Sequence, residues 1–147
     1  MRLCAVSVDL DEVPCYSAIH GLPAPEGEAA HAVYRRAVPR FEALFDELGI
    51  PATFFVIGRD LAERTAADAV VRLHALGHEI GNHTQDHFYD LTRRDAAEIR
   101  AQVAGCNDSI ARVIGRRPAG FRAPGYTITD TVFDVLDQLE MAYDSSV

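Results

Sequence analysis

Two aspartates and two histidines are the residues of this chain whose types and spacing first suggest chemistry. Asp9 and Asp11 follow an apolar run near the N-terminus, and His83 and His87 lie far downstream in the segment Gly-Asn-His-Thr-Gln-Asp-His. Two imidazoles and one carboxylate suit a divalent metal ion, which would leave the second carboxylate free to act as a base. Such donors meet only if the fold joins distant segments, as α/β proteins do at their strand ends.

Each pair also has a simpler interpretation. Asp9 and Asp11 would point to the same side of a strand, about 6 to 7 Å apart, but they also suit a solvated loop that caps the next segment. Residues four apart share a helix face, yet a chain with six histidines readily contains such a pair by chance. His74 and His78 have the same spacing. Because Gly77 should end a helix between them, we assign both to packing and surface.

The surroundings of His83 and His87 set this pair apart. The preceding Gly81-Asn82 permits a close approach of the backbone, and the polar spacer 84–86 offers groups that would orient the rings. These features favour a role as ligands.

The segment Phe121-Arg122-Ala123-Pro124-Gly125-Tyr126 is a third candidate. It places Arg122 at an expected strand end, followed by a rigid proline and a permissive glycine, which suits a sharply turned backbone with an exposed N–H. A simple Pro-Gly turn with a surface arginine is the alternative. In the first case Arg122 would be a partner for Asp9, since a cation stabilises a neighbouring carboxylate.

Alternating strand and helix patterns predict an α/β fold. The expected strands are 3–8, 51–57, 78–83, 120–122 and a fifth that begins at 142. The expected helices are 33–48, 69–76, 96–113 and 132–139, whereas the proline-rich segment 11–28 should be a loop. Because crossover helices must cover a parallel sheet, we predict an α/β barrel or part of one. A doubly wound open sheet is the alternative, although no glycine-rich turn follows the first strand.

Local signals refine these elements. The run 3–8 is expected to be a strand buried on both faces. Gly49 and Gly77 are predicted C-terminal caps, and Thr92 with Asp95 resembles a capping box before the longest helix.

Length and composition limit the possible functions. With 147 residues and 48% hydrophobic content, the chain is expected to form one domain, 1–147. A net charge of −8 with scattered basic residues argues against nucleic acid and anionic lipid as binding partners.

The sequence contains no recognisable secretory signal and no apolar stretch of membrane-spanning length, so a cytoplasmic location is expected. The three cysteines include no Cys-x-x-Cys pair and are interpreted as ordinary thiols.

The three segments, in this order, resemble the motifs of the polysaccharide deacetylase family, also called the NodB-homology domain or carbohydrate esterase family 4. Val8-Asp9-Leu10-Asp11 looks like the first motif, His83-Thr84-Gln85-Asp86-His87 is similar to the His-[Ser/Thr]-x-x-His motif, and Arg122-Ala123-Pro124 looks like the Arg-x-Pro motif. The resemblance covers essentially the whole chain. It implies a partial or distorted (β/α) barrel with parallel strands that hydrolyses an N-acyl or related amide bond with zinc or a similar divalent metal.

Carried over to these positions, the resemblance makes Asp11, His83 and His87 the metal ligands, with zinc expected and Co²⁺, Mn²⁺ or Ni²⁺ as alternatives. It makes Asp9 the base that deprotonates the attacking water, and Arg122 the residue that holds this base. Three protein ligands leave an open coordination position, as a catalytic site requires.

The sequence departs from the family pattern in three places. Leu10 separates two aspartates that are more commonly adjacent, a form that resembles peptidoglycan deacetylase-like and cyclic-imide-hydrolase-like members. Gly125 follows the proline where an aromatic is usual, so the aromatic wall is expected to be displaced to Tyr126, while a backbone N–H near Gly125 would stabilise the oxyanion. The motif that supplies the general acid is expected beyond Val147, in a longer protein of which this is the N-terminal portion.

We therefore expect a metal-dependent hydrolase of non-peptide C–N bonds that deacetylates an N-acetylated amino sugar or sugar precursor. The alternatives are a cyclic-imide hydrolase of the allantoinase type, a metal-binding domain with little catalysis, and an iron(II) enzyme with two histidines and one carboxylate. Asp9 favours hydrolysis, because an oxygenase needs no carboxylate beside the water. The expected partner is a carbohydrate or small-molecule substrate, with no membrane insertion.

Overall fold

A single parallel sheet organises the chain, whose computed structural model describes residues 4–147. Its strands are β1 (Ser7–Asp9), β2 (Thr53–Val56), β3 (Glu79–Asn82), β4 (Gly120–Phe121) and β5 (Tyr143–Asp144). They pair in the order in which they occur along the chain, and every pair is parallel. Within these residues β1 and β5 remain the two edges, so the sheet is open. The predicted partial (β/α) barrel is confirmed.

Helices form the crossovers between consecutive strands. They are α1 (Val13–Ile19), α2 (Val38–Leu48), α3 (Arg64–Ala75), α4 (Ala96–Ile114) and α5 (Asp130–Gln138), and a turn of π-helix, Val33–Ala37, leads directly into α2. Short 3₁₀ turns cover Gly27–His31, Gly58–Ala62, Leu91–Arg93 and Pro124–Tyr126. Gly49 ends α2 in the left-handed conformation, with φ of 63°, as its predicted role as a cap requires.

Two expectations for helix starts are wrong. The segment 11–28, expected to be a loop, contains α1, because Pro14 lies in the first turn, where a missing N–H costs no intrahelical bond. Asp95 is not the third residue of a capping box begun by Thr92. It is itself the N-cap of α4, and its side chain accepts a hydrogen bond from the N–H of Glu98.

The first strand is shorter and more exposed than expected. Leu3, where the predicted strand begins, lies outside the described residues, and the pairing with β2 covers Ser7–Asp9. These three residues are exposed or half-buried, so the expectation of a strand buried on both faces is wrong. An edge strand has a neighbour on one side only, which leaves part of its surface to solvent.

The alternation of side chains along β2 separates the core from the inner side of the sheet. Phe54 and Val56 belong to a core cluster that includes residues of α2 and α3. A second cluster joins β4 to α4 and α5. Phe55 points the other way, and it pairs in register with Gly81, where an added Cβ would lie 2.5 Å from its ring. Gly81 is therefore required to make room for this ring.

Two further features concern the apolar character of the helices and the state of the cysteines. None of the helices within residues 4–147 combines the length and the apolar character needed to cross a bilayer. Cys4, Cys15 and Cys106 are free thiols, of which the last two are buried.

Candidate active site

Asp11, His83 and His87 converge beyond the carboxyl ends of β1 and β3. Nε2 of His83 lies 3.3 Å from one carboxylate oxygen of Asp11, and Nε2 of His87 lies 3.3 Å from the other. One ligand atom from each residue lies within 4.8 Å of the others, and all three residues are buried. The structure thus brings together the three side chains that the sequence suggested as ligands.

The geometry of this cluster fits a divalent metal ion. Two ligands on a tetrahedral ion with bonds of about 2.0–2.2 Å are about 3.3–3.6 Å apart, which agrees with the two 3.3 Å distances. Oδ1 of Asp11 and both ring nitrogens of His87 are buried and have no hydrogen-bond partner among the described residues. Buried polar atoms are costly when left unsatisfied. A cation held between these residues would satisfy the carboxylate oxygen and one nitrogen.

His83 is fixed in the tautomer that metal binding needs. Its Nδ1 lies 2.6 Å from the carbonyl oxygen of Arg122. Because a carbonyl oxygen only accepts hydrogen bonds, Nδ1 must carry the ring proton. Nε2 is then the nitrogen that faces Asp11 and is available to a metal ion, and the carbonyl acts as the outer partner that commonly orients a ligating histidine.

His87 reaches the cluster from a loop rather than from a helical turn. Thr84 and His87 both adopt the left-handed conformation, with φ of 67° and 57°. The N–H of Thr84 donates to Oδ1 of Asn82 (2.8 Å), and the N–H of His87 donates to Oγ1 of Thr84 (3.0 Å). Side chains of the loop itself therefore maintain this unusual backbone, and the one-face helical arrangement does not occur.

Buried polar residues of α4 support the same loop. Asn82 donates from Nδ2 to the carbonyl of Val103 (2.8 Å) and to Oδ1 of Asn107 (2.7 Å). Gln102 accepts from the N–H of Asp86 (2.8 Å) and donates to its carboxylate (2.7 Å). The sequence reasoning missed Gln102 and Asn107. Their position beside the apolar stripe of α4 was the available signal.

Asp9 lies beside the cluster with both carboxylate oxygens bonded. Nη1 of Arg122 donates to Oδ1 at 2.7 Å, and the hydroxyl of Tyr126 donates to Oδ2 at 3.0 Å. The guanidinium carbon lies 4.3 Å from the ring centre of Phe55. The predicted partnership of Arg122 with Asp9 is present, and the carboxylate is held in a fixed orientation. Each oxygen can still accept a second hydrogen bond.

Two serines that the sequence reasoning missed hold the guanidinium of Arg122. Ser145, which follows β5, accepts from Nε through its carbonyl (3.1 Å) and from Nη2 through its hydroxyl (2.6 Å). Ser7 of β1 accepts from Nη2 at 2.9 Å. Because Arg122 follows β4, which pairs with β5, while β1 is the opposite edge of the sheet, its contact with Ser7 requires a strongly curved sheet.

The charges of the cluster are coupled. Burial by itself would raise the pKa of Asp11, but the contacts with the imidazoles of His83 and His87 outweigh it and hold this pKa below its usual value. Burial would likewise lower the pKa of His87, but its contacts with the Asp11 carboxylate and the Cys15 thiol raise it above the ordinary value. A carboxylate and an imidazole that stabilise each other in this way hold a proton that a bound metal would displace.

Comparison with known proteins supports the family resemblance. Residues 30–143 match the family model described as polysaccharide deacetylase. The chain is 31% identical over 99 residues to a chitin deacetylase of Arthroderma benhamiae, an alignment covering 66% of this chain and 26% of that protein. It is 38% identical over 76 residues to a chitooligosaccharide deacetylase of a Bradyrhizobium species, covering 51% of this chain and 33% of that protein.

A solved structure extends the similarity to the whole fold. The structure of a candidate polysaccharide deacetylase from Mycobacterium smegmatis superposes with a TM-score of 0.81 and 25% identity, over 97% of this chain and 50% of the other. The chain thus spans half of that protein and less of the two curated relatives. Since the family model matches most of its residues, the chain belongs to the polysaccharide deacetylase family.

Proposed function

We propose that this chain carries a metal-dependent site that removes the acetyl group from N-acetylated amino sugars. The observation that carries the proposal is the buried and unsatisfied cluster of Asp11, His83 and His87, to which a fixed carboxylate is joined through Arg122: its guanidinium bonds Asp9 and its carbonyl oxygen contacts His83. The substrate class rests on the relatives, which are named for deacetylation of chitin and of chitooligosaccharides.

Asp11, His83 and His87 would hold the metal. Two imidazole nitrogens and a carboxylate oxygen suit zinc, while Co²⁺, Mn²⁺ and Ni²⁺ can use the same donors. When bound, such an ion polarises the acyl oxygen and lowers the pKa of a bound water. Burial of all three ligands keeps competing water away from the inner side of the site.

Asp9 would accept the proton of the attacking water. Its ion pair with Arg122 and its hydrogen bond from Tyr126 fix the direction in which its oxygens point, which is the positional requirement for a general base. The serines that hold Arg122 keep this arrangement rigid. Gly125, in the exposed turn after Pro124, would supply a backbone N–H for the developing oxyanion.

The proposal is tested by acetate release from chitotetraose with the zinc-loaded, full-length gene product. The unmodified protein should release acetate, and removal of the metal with a chelator should abolish the release. Asp134→Asn, a substitution at an exposed aspartate of α5, serves as the control for the handling of variants and should leave the rate unchanged. A zinc-loaded protein that releases no acetate from any N-acetylated sugar would refute the proposed function.

A further inference from the structure

Tyr89 stands at the site without an assigned role. It follows His87 by two residues, and its ring meets the His87 ring edge-on, with centroids 4.8 Å apart and planes at 89°. Its exposed fraction is 38%. A tyrosine that only supported His87 would be expected to be buried. This ring touches a proposed metal ligand on one side and remains open to solvent on the other.

The ring of Tyr89 occupies space that is available because residue 125 is a glycine. Gly125 has φ of 65°, and a Cβ added there would lie 3.1 Å from Cδ1 and 3.4 Å from Cε1 of Tyr89. A larger residue at 125 would be strained in its backbone and would press on the ring. The space that a side chain at 125 would otherwise use is therefore taken by an aromatic ring from a neighbouring loop.

Tyr126 provides a second exposed ring on the same rim. It is 57% exposed, and its hydroxyl bonds to Asp9. Tyr89 thus lies next to the proposed metal ligands, and Tyr126 lies next to the proposed base. Exposed aromatic side chains grouped around a polar site are typical of a surface that binds a ligand with both apolar and polar faces.

The chemistry of Tyr89 suits a sugar ring. A pyranose has an apolar face of C–H groups and a rim of hydroxyls, so it packs against an aromatic face while its hydroxyls stay in water. The ring of Tyr89 can offer such a face, since it is 38% exposed while it contacts the His87 ring.

We infer that Tyr89 is a substrate-positioning residue, whose ring supports a pyranose of an N-acetylated oligosaccharide beside the metal ligands. This inference rests on the proposed function, and it concerns the affinity for the substrate rather than the chemical step. Loss of an aromatic packing partner is worth about 0.5–1.5 kcal/mol, equivalent to roughly a two- to tenfold loss of affinity.

The test compares Tyr89→Leu, which keeps a large apolar side chain without an aromatic ring, with Tyr89→Phe, which keeps the ring. Phe133→Leu is the matched control, since Phe133 is an aromatic of α5 that is 43% exposed. Binding of chitotetraose to the zinc-loaded, full-length protein is measured by calorimetry, together with zinc content, kcat and KM. We expect Tyr89→Leu to raise Kd and KM two- to tenfold, with less than a twofold effect on kcat. Tyr89→Phe and Phe133→Leu should bind as the unmodified protein does.

Three results would overturn the inference. The first is an unmodified protein that does not bind chitotetraose, and the second is a Tyr89→Leu protein with unchanged Kd and KM. The third is a Tyr89→Leu protein that loses zinc and kcat, because Tyr89 would then act through His87. If the unmodified protein binds chitotetraose but releases no acetate, the proposed function fails, while the shift in Kd still decides the role of Tyr89.

Discussion

Two histidine pairs with the same spacing flank the two ends of β3. His78 immediately precedes the strand and His83 immediately follows it, so one ring lies at the amino end of the sheet and the other at the carboxyl end. Both rings are buried. The groups that contact the two rings are different, and this difference distinguishes a structural histidine from a candidate ligand.

His78 is fully accounted for by its surroundings. Its Nδ1 accepts a hydrogen bond from the N–H of Ala52 at 3.2 Å, and its ring packs edge-on against Phe45 and Phe54, at 5.8 and 5.3 Å between centroids. The other histidine of this pair, His74, lies half-buried on α3. The ring of His78 satisfies a backbone donor and fills core volume.

His83 and His87 face a carboxylate instead. The two ring nitrogens of His87 and one oxygen of Asp11 remain unsatisfied in the part of the chain that the structure describes. Sequence spacing alone is therefore uninformative about ligation. What identifies the candidate site is burial combined with unsatisfied polar atoms of complementary type at the carboxyl end of the strands.

Removal of a candidate ligand should produce the largest effect. We expect His83→Ala or His87→Ala to abolish stoichiometric zinc binding, measured by elemental analysis of purified protein, because two remaining ligands hold the ion too weakly. The protein should stay folded, as judged by circular dichroism.

The other histidine pair is the control for this experiment. His74→Ala combined with His78→Asn, which retains an acceptor for the N–H of Ala52, should keep its zinc. Full zinc content in both the His83 and the His87 variant would contradict their assignment as ligands. A ring nitrogen of His74 or His78 within about 2.5 Å of a bound metal would contradict the assignment of that pair to packing and surface.

The same comparison can be made between Asp9, the proposed base, and Asp11, the proposed ligand. Asp9→Asn should retain zinc but reduce acetate release by about a hundredfold or more, because general-base catalysis contributes about that much. Asp11→Asn should lose zinc. The measurements are zinc content and the rate with chitotetraose, both on the full-length protein. Loss of zinc from the Asp9 variant alone would exchange the two roles, and full activity of that variant would refute the hydrolytic mechanism.

A smaller effect, on the free energy of unfolding, is expected for His78 at the amino end of β3. His78→Ala should reduce the free energy of unfolding by about 2–4 kcal/mol, because it opens a cavity between two phenylalanines and leaves the N–H of Ala52 unsatisfied. Urea unfolding of the metal-free protein measures this loss, with His74→Ala expected within about 0.5 kcal/mol of the unmodified protein. Equal losses from both variants would contradict the distinction drawn between them.

The fold and the candidate ligands were accessible from sequence because they depend on local signals. Short strand segments that end in Asp9-Leu10-Asp11 or in Asn82-His83 mark strand ends, and parallel strands bring their carboxyl ends to one edge. The family resemblance then suggested a role for each of these residues.

The supporting residues were not accessible, since their contacts depend on three-dimensional features that have no periodic signature. Ser7 and Ser145 meet at Arg122 because the sheet curves. Tyr89 lies over Gly125 because a loop with left-handed residues turns it there. Each of these residues, taken alone, resembles an ordinary strand-end or loop residue.

Asp60 provides a final comparison, with Asp11. Asp11 is buried and Asp60 is half-buried, and each carboxylate has a buried oxygen without a hydrogen-bond partner among residues 4–147. Asp11 faces two imidazoles, and its pKa is lowered. Asp60 has one cationic neighbour, Arg59, whose Nε lies 3.8 Å from Oδ1, and burial raises the pKa of Asp60 from 3.8 to about 6 in spite of this charge. A largely buried carboxylate that its neighbours do not compensate is therefore a cost to the fold.

Asp60→Asn should consequently stabilise the protein in a pH-dependent way. Because the pKa of Asp60 is higher in the folded state, its ionisation opposes folding; the cost appears as pH rises above about 4 and is complete above about 6. Allowing for partial exposure of the side chain, we expect a gain of roughly 1–2 kcal/mol at pH 7.5, with little or no gain at pH 4. Urea unfolding of the metal-free protein at both pH values measures the difference, and Asp134→Asn controls for removal of an exposed charge. A gain of equal size at both pH values, or no gain at pH 7.5, would show that Asp60 is paired in the folded protein and would remove the contrast with Asp11.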